Sequence, residues 1–143
     1  MARIKLPTRE SLPDDESRDR WDRQAGRTGR VLNIQRAFLT NPGIDLNAFR
    51  VWRASGLEPR ARELVILRSA FQKRSTYEWH QHVRIARDAG LTDQEIIAIG
   101  DWRSATLFSP NERALLGYVD ALAESPRPSD DAFAQVSEGR TDG

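Results

Sequence analysis

Residues 62–91, RELVILRSAFQKRSTYEWHQHVRIARDAGL, decide how this chain is read. Leu64, Val65, Ile66, Leu67 and Ala70 are apolar nearly all round a helix, which predicts a central, buried element over residues 58–71. One acid, Glu63, sits in it. Lys73-Arg74 marks a short turn. Ser75-Thr76-Tyr77-Glu78 then has the form of a capping box, in which the serine caps a new helix over residues 76–89 and the glutamate reaches back to it. Glu78 and His82 lie four residues apart on that second helix, one turn apart on one face. Val83, Ile85, Ala86 and Ala89 form its expected inner side, and Gly90 its end.

On the C-terminal side, Thr92-Asp93-Gln94-Glu95 repeats the capping-box pattern and opens a helix through Ile96 and Ile99. Ser109-Pro110-Asn111-Glu112 places a serine cap, then proline at the first helical position, before Leu115, Leu116, Val119 and Leu122. Pro126 and Pro128 stop that helix, and Ser129-Asp130-Asp131 starts a short one through Phe133 and Val136. On the N-terminal side, Ile44, Leu46, Phe49 and Trp52 mark a helical segment closed by Gly56, and Val31, Ile34, Ala37 and Phe38 mark another closed by Asn41-Pro42-Gly43. Residues 14–25 are helix-compatible but highly charged, with Trp21 their one large apolar side chain, and Gly26 and Gly29 are read as breaks. No segment reads as a strand. The expectation is an all-α fold of six to seven helices: an extended arm over residues 1–13, one helical domain over 14–136 and a polar tail over 137–143.

Composition narrows the function classes. The chain has 143 residues, 30% charged and 38% hydrophobic, enough for a single core. With 22 Lys+Arg against 21 Asp+Glu the formal net charge is +1, which gives no footprint for nucleic acid or a membrane surface. Arg18, Arg20, Arg23, Arg27 and Arg30 cluster, but Asp19 and Asp22 are interleaved with them as on a solvated helix face. There are no cysteines, so disulfides, thiolate catalysis and zinc–thiolate sites are excluded. No apolar run approaches the ~20 residues of a membrane span, and MARIKLPTRE lacks a signal peptide's apolar core. A cytoplasmic location is expected.

The chemistry-bearing candidates are Glu63, Glu78 and His82. A carboxylate one turn from an imidazole can fix its tautomer and exchange protons with it. A carboxylate in a core needs a partner, for which His82, Tyr77 or Arg84 are within reason. Such a group at the donor-rich start of a helix suits an anionic ligand. Each candidate also has a structural alternative: Glu78 as the acidic half of a cap, His82 as a core histidine bonded to a carbonyl, Glu63 in an arginine network. His80 and His82 diverge on a helix, so no metal site is expected. Trp79 and Tyr77 read first as packing residues.

Arg62-Glu63-Leu64, Tyr77-Glu78-Trp79, His82-Val83-Arg84-Ile85-Ala86 and Ala89-Gly90-Leu91-Thr92-Asp93-Gln94-Glu95-Ile96 together resemble the carboxymuconolactone decarboxylase family, whose fold is shared with alkylhydroperoxidase D-like proteins. The similarity reaches back through Asn41-Pro42 and forward to about Ala123. It implies a helical subunit that self-associates, commonly as a trimer or hexamer. In the peroxidase branch a glutamate precedes a Cys-x-x-Cys pair and a histidine. Glutamate and histidine fall on Glu63 and His82, and the cysteine positions on Ser75 and Glu78. Neither residue can do thiol exchange, so thiol peroxidase activity is not expected.

The decarboxylase branch needs no cysteine. The resemblance to it implies a cofactor-free carboxy-lyase acting on a small carboxylated lactone or related acid. In that reading His82 moves the proton, Glu63 or Glu78 sets its protonation state, and an arginine (Arg62, Arg68 or Arg84) holds a substrate carboxylate, with Ser75 and Tyr77 as further substrate-binding residues. The alternative is a non-catalytic oligomeric or small-ligand-binding member of the same fold. The family pattern also implies a further apolar helix after Val136, where this sequence has SEGRTDG. Altered stability or assembly is the expectation from that difference, whether in a shortened paralogue or a frame-shifted product.

Overall fold

A computed structural model of the chain describes residues 5–39 and 56–138. The backbone divides into two compact units, residues 1–55 and 56–143. Among the described residues there are seven α-helices and no strand. The helix expected over residues 44–54 and the Asn41-Pro42-Gly43 stop lie outside the described residues.

In the first unit, a 3-10 turn at Arg9–Ser11 precedes α1 (Asp15–Thr28) and α2 (Asn33–Phe38). Asp14 caps α1 by accepting the Ser17 N–H at 2.7 Å. Gly26 does not break this helix as expected; α1 runs through it and ends where Gly29 turns left-handed at φ 71°. Glycine costs a helix only about 1 kcal/mol against alanine, so a capped helix absorbs one easily. Arg9 grips Asp22 with two 2.7 Å bonds, and Arg36 donates to the Pro7 carbonyl at 2.9 Å while its guanidinium lies over Trp21.

The second unit holds α3 (Pro59–Gln72), α4 (Thr76–Asp88), α5 (Asp93–Ala98), a 3-10 turn at Ile99–Asp101, α6 (Pro110–Glu124) and α7 (Asp130–Glu138). Helix α3 is the centre, packing on α4 and α6. Leu64, Leu67, Ala86, Leu91, Ile96, Ile99, Trp102, Phe108 and Leu116 form one core cluster, against which Trp79 and Val83 pack. Helix α3 is less uniformly buried than its composition suggested. Its inner stripe is Glu63, Leu64, Leu67, Arg68 and Ala70, while Val65 and Ile66 are half-buried and Phe71 is exposed. Ile85, expected inside, is likewise exposed, as is Leu122. With only a few short helices around it, each element can bury just one stripe.

The capping boxes at Thr92/Glu95 and Ser109/Glu112 form as expected, the second with Pro110 in the first turn. Both acids have a second task. Arg60 of α3 pairs with Glu95, donates to Glu112 Oε1 at 2.7 Å, and reaches the Gly90 carbonyl at 2.9 Å. One side chain thus ties two helix starts to the end of a third. The Arg60 hydrogen bond holds the Glu95 carboxyl down at about 2 despite its burial. At Glu112 burial pushes upward, but the bonds from Ser109 and Arg60 together keep the carboxyl below its usual range.

Candidate functional site

The turn between α3 and α4 takes three residues. Arg74 adopts φ 52°, and the Ser75 N–H donates to the Ala70 carbonyl at 2.8 Å. That bond changes the local account of Glu78. In a full capping box the glutamate would satisfy the Ser75 N–H, but Ala70 already does so. Only half of the expected box forms: Ser75 Oγ accepts the Glu78 N–H at 3.5 Å. The Glu78 carboxylate is released to turn along its helix toward His82.

Chain reversal then brings α3 against that face. His82 Nδ1 lies 2.7 Å from Glu63 Oε2, a contact between residues 19 apart in sequence. The other ring nitrogen, Nε2, lies 3.5 Å from Glu78 Oε2. Arg62 Nε donates to the remaining Glu63 oxygen, Oε1, at 3.2 Å. The result is a chain Arg62–Glu63–His82–Glu78 with opposite ends in different surroundings. The Glu63 side chain is 1% exposed, that of His82 is 21% and that of Glu78 is 45%. A carboxylate taken from water requires partners, and Glu63 has one for each oxygen. In the neutral form of the ring, an Nδ1–H donated inward leaves the lone pair on Nε2, on the side of Glu78 and solvent. Proton exchange between a buried acceptor and an open face is what this arrangement can do chemically.

The remaining candidates spread out. Ser75 is the helix cap, at the foot of the face that carries Glu78 and His82. Tyr77 is half-buried, one position before Glu78. Arg84 is exposed, two positions beyond His82 and thus about 200° round the helix. His80 turns away, its Nδ1 2.8 Å from the Thr76 carbonyl. Trp79 packs on the core and stands 6.3 Å, tilted, from Phe71. Among the described residues no group of three His, Asp or Glu side chains could hold a metal ion.

Arg68, proposed from the sequence as a substrate-holding arginine, is committed elsewhere. It forks onto Asp120 at 2.6 and 3.0 Å and donates to the Ile99 and Gly100 carbonyls. Asp120 also accepts from Trp102 Nε1 at 3.1 Å, from Arg103 at 2.5 Å and from Gln72. Burial pushes the Asp120 carboxyl upward, but the donors from Arg68, Trp102 and Arg103 outweigh it and hold it below the ordinary range. Sequence reading missed this group. Its signal was present: Asp120 falls four residues after Leu116, on the apolar stripe of α6, as Arg68 follows Leu64 on α3.

An open cavity of about 630 Å³ lies away from His82, between the start of α6 and the end of α7, with Trp102, Arg103, Arg113 and Gln135 among its lining. The Glu63–His82–Glu78 group itself runs from a buried carboxylate to a partly exposed one.

Residues 44–121 match the carboxymuconolactone decarboxylase family. An uncharacterized protein of Escherichia coli (strain K12), YnjA, is 37% identical over 51 residues, 36% of this chain; the match spans 28% of that relative's length. Among solved structures, ATU0492 from Agrobacterium tumefaciens, a protein of unknown function suggested to be the antioxidant defence protein AhpD, superposes with a TM-score of 0.63 at 30% identity. That superposition covers 74% of this chain and 76% of the other. The helical arrangement is therefore AhpD-like.

Proposed function

Since the chain belongs to the carboxymuconolactone decarboxylase family, we propose that it is a cofactor-free lyase acting on a small carboxylated lactone or related acid by proton transfer through His82. The observation that carries this reading is the 2.7 Å bond from His82 to buried Glu63, with Nε2 turned toward Glu78 and the open face. In the reaction, the bond between the lactone ring carbon and its carboxylate breaks and CO2 leaves. The electron pair passes into the conjugated lactone, and a proton that the neutral ring first takes up at Nε2 is passed on to complete the enol-lactone. Glu63 holds Nδ1–H inward throughout, and Glu78 relays the solvent proton to Nε2. Ser75, Tyr77, Arg62 and Arg84 are the groups from which substrate contacts are drawn. No cofactor is required, because the ring itself accepts the electrons. The working unit is residues 14–136, with residues 1–13 as an arm, assembled as a trimer or hexamer in the cytoplasm. Thiol peroxidase chemistry is not part of the reading, since the chain has no cysteine.

A second reading is a non-catalytic, small-ligand-binding member of the same fold, in which Glu63, Glu78 and His82 are structural. The cavity's position away from His82 favours it. Thermal unfolding of wild type and His82→Ala with a panel of carboxylated lactones separates the two. Stabilisation by one lactone, lost in His82→Ala, followed by turnover of that compound only by wild type, supports the lyase. If no lactone moves the transition and His82→Ala only lowers stability, by about 1–3 kcal/mol, the lyase reading is wrong.

A further inference from the structure

Glu63 presents an electrostatic question that the proton-transfer reading leaves open. Its carboxylate is almost fully buried, and a buried anion must be balanced by a nearby cation. If His82 supplied that cation, its ring would be held as imidazolium, with both nitrogens donating and no lone pair with which to take a proton. A base at this position requires the countercharge to come from elsewhere.

The structure offers a source. Arg62 Nε donates to Glu63 Oε1 at 3.2 Å, while His82 Nδ1 contacts the opposite oxygen, Oε2. Arginine is permanently charged, so the balance it provides does not depend on pH. Successive positions on a helix do not normally face each other. Here the Arg62 side chain folds back along α3 to reach the acid beside it, and its side chain is 27% exposed. The other charged contact of His82 is Glu78, 3.5 Å from Nε2; it favours imidazolium too, but at 45% exposure water screens it far more than it screens Glu63. Among the described residues no ion pair reaches His82 from any other helix.

We propose that Arg62 is a positioning residue of this site: by balancing buried Glu63 it leaves His82 neutral, with Nδ1–H donated inward and the Nε2 lone pair facing the open side. The proposal rests on the proton-transfer reading of His82 but is tested without any substrate. Arg62 then acts through Glu63 and meets no substrate in this role, unlike the substrate-holding part first considered for it. Its removal converts the ring into a poor base without disturbing its position.

The chain has two histidines, His80 and His82, so imidazole nitrogen NMR at pH 7 resolves each ring's charge and tautomer. In Arg62→Met, which keeps the aliphatic stem, the ratio of imidazolium to neutral His82 rises roughly tenfold, the scale of removing one nearby partly buried charge. Arg62→Lys brings the ratio back toward wild type, and His80 stays unchanged in both. Should the Met variant not fold, Arg62→Gln gives the same readout. An unchanged His82 ratio in the folded Met or Gln variant overturns the proposal. Glu63→Gln separates the two ways of failing. If it changes His82 while Arg62→Met does not, the carboxylate–imidazole pair stands and only the role of Arg62 falls. If neither changes His82, the pair itself is absent and the proton-transfer reading falls with it.

Discussion

Two buried carboxylates, Glu63 on α3 and Asp120 on α6, are treated in opposite ways. Asp120 is surrounded by donors that hold their protons permanently or nearly so: Arg68 twice, Arg103, the Trp102 indole and the Gln72 amide. Glu63 has one such donor, Arg62, and for its second oxygen a histidine whose far side reaches solvent through Glu78. The first group is closed and fully satisfied, with Arg68 also capping the Ile99 and Gly100 carbonyls. The second is a line with a titratable link in the middle and an open end. Burial demands partners in both cases; the kind of partner separates structural electrostatics from proton chemistry.

Breaking the closed group is expected to cost most. Asp120→Ala removes the countercharge of buried Arg68 and leaves the Trp102 N–H unpaired, for a loss of about 3–5 kcal/mol in denaturant unfolding. The NMR signals of His82 should not change. Glu63→Gln keeps an acceptor for the His82 Nδ1–H but turns an amide toward Arg62, and is expected to cost about 1–3 kcal/mol. A loss as large as that of Asp120→Ala would mean that the two acids are equally structural.

The Arg60 network provides an intermediate case, because its acids are partly exposed and one arginine serves both. Arg60→Met is expected to cost about 1–2 kcal/mol at pH 7. The Glu95 carboxyl titrates at about 2 in the folded chain against 4.5 ordinarily, chiefly through its Arg60 hydrogen bond. A lowered folded value means that the stabilisation is complete above about 4.5 and is lost as pH falls toward 2. The gap between wild type and Arg60→Met should accordingly narrow between pH 5 and pH 3, measured by urea unfolding at each pH. At the open end, Glu78→Gln should change stability by less than about 0.5 kcal/mol. Any larger loss would show that its carboxylate belongs to the fold after all.

The helices and their ends were readable because their causes are local. Apolar spacing marked α3, α4 and α6, and the serine and threonine caps at positions 75, 92 and 109 all form. Where local reading went astray, a neighbour distant in sequence or a modest energy had decided the outcome. Gly26 and Gly29 were both read as breaks, but only the left-handed Gly29 ends α1, since one helical glycine costs too little to break the run. The return half of the cap at Ser75 was pre-empted by the Ala70 carbonyl, which freed Glu78. Arg68 looked available for a ligand only because its partner lies 52 residues away.

The sequence by itself determined the all-helical class, the absence of thiol chemistry and the placement of Glu78 and His82 on one face, because helix geometry relates residues three or four apart without outside help. Which partner the buried Glu63 would take was settled by packing. For Glu63, His82, Tyr77 and Arg84 were all prospective partners, and the reversal at residues 73–75 set His82 Nδ1 against it. Packing likewise chose Asp120 for Arg68 and Arg62 for Glu63. Opposite charges removed from water take whichever partner the folded backbone brings within reach, and spacing along the chain does not record that distance.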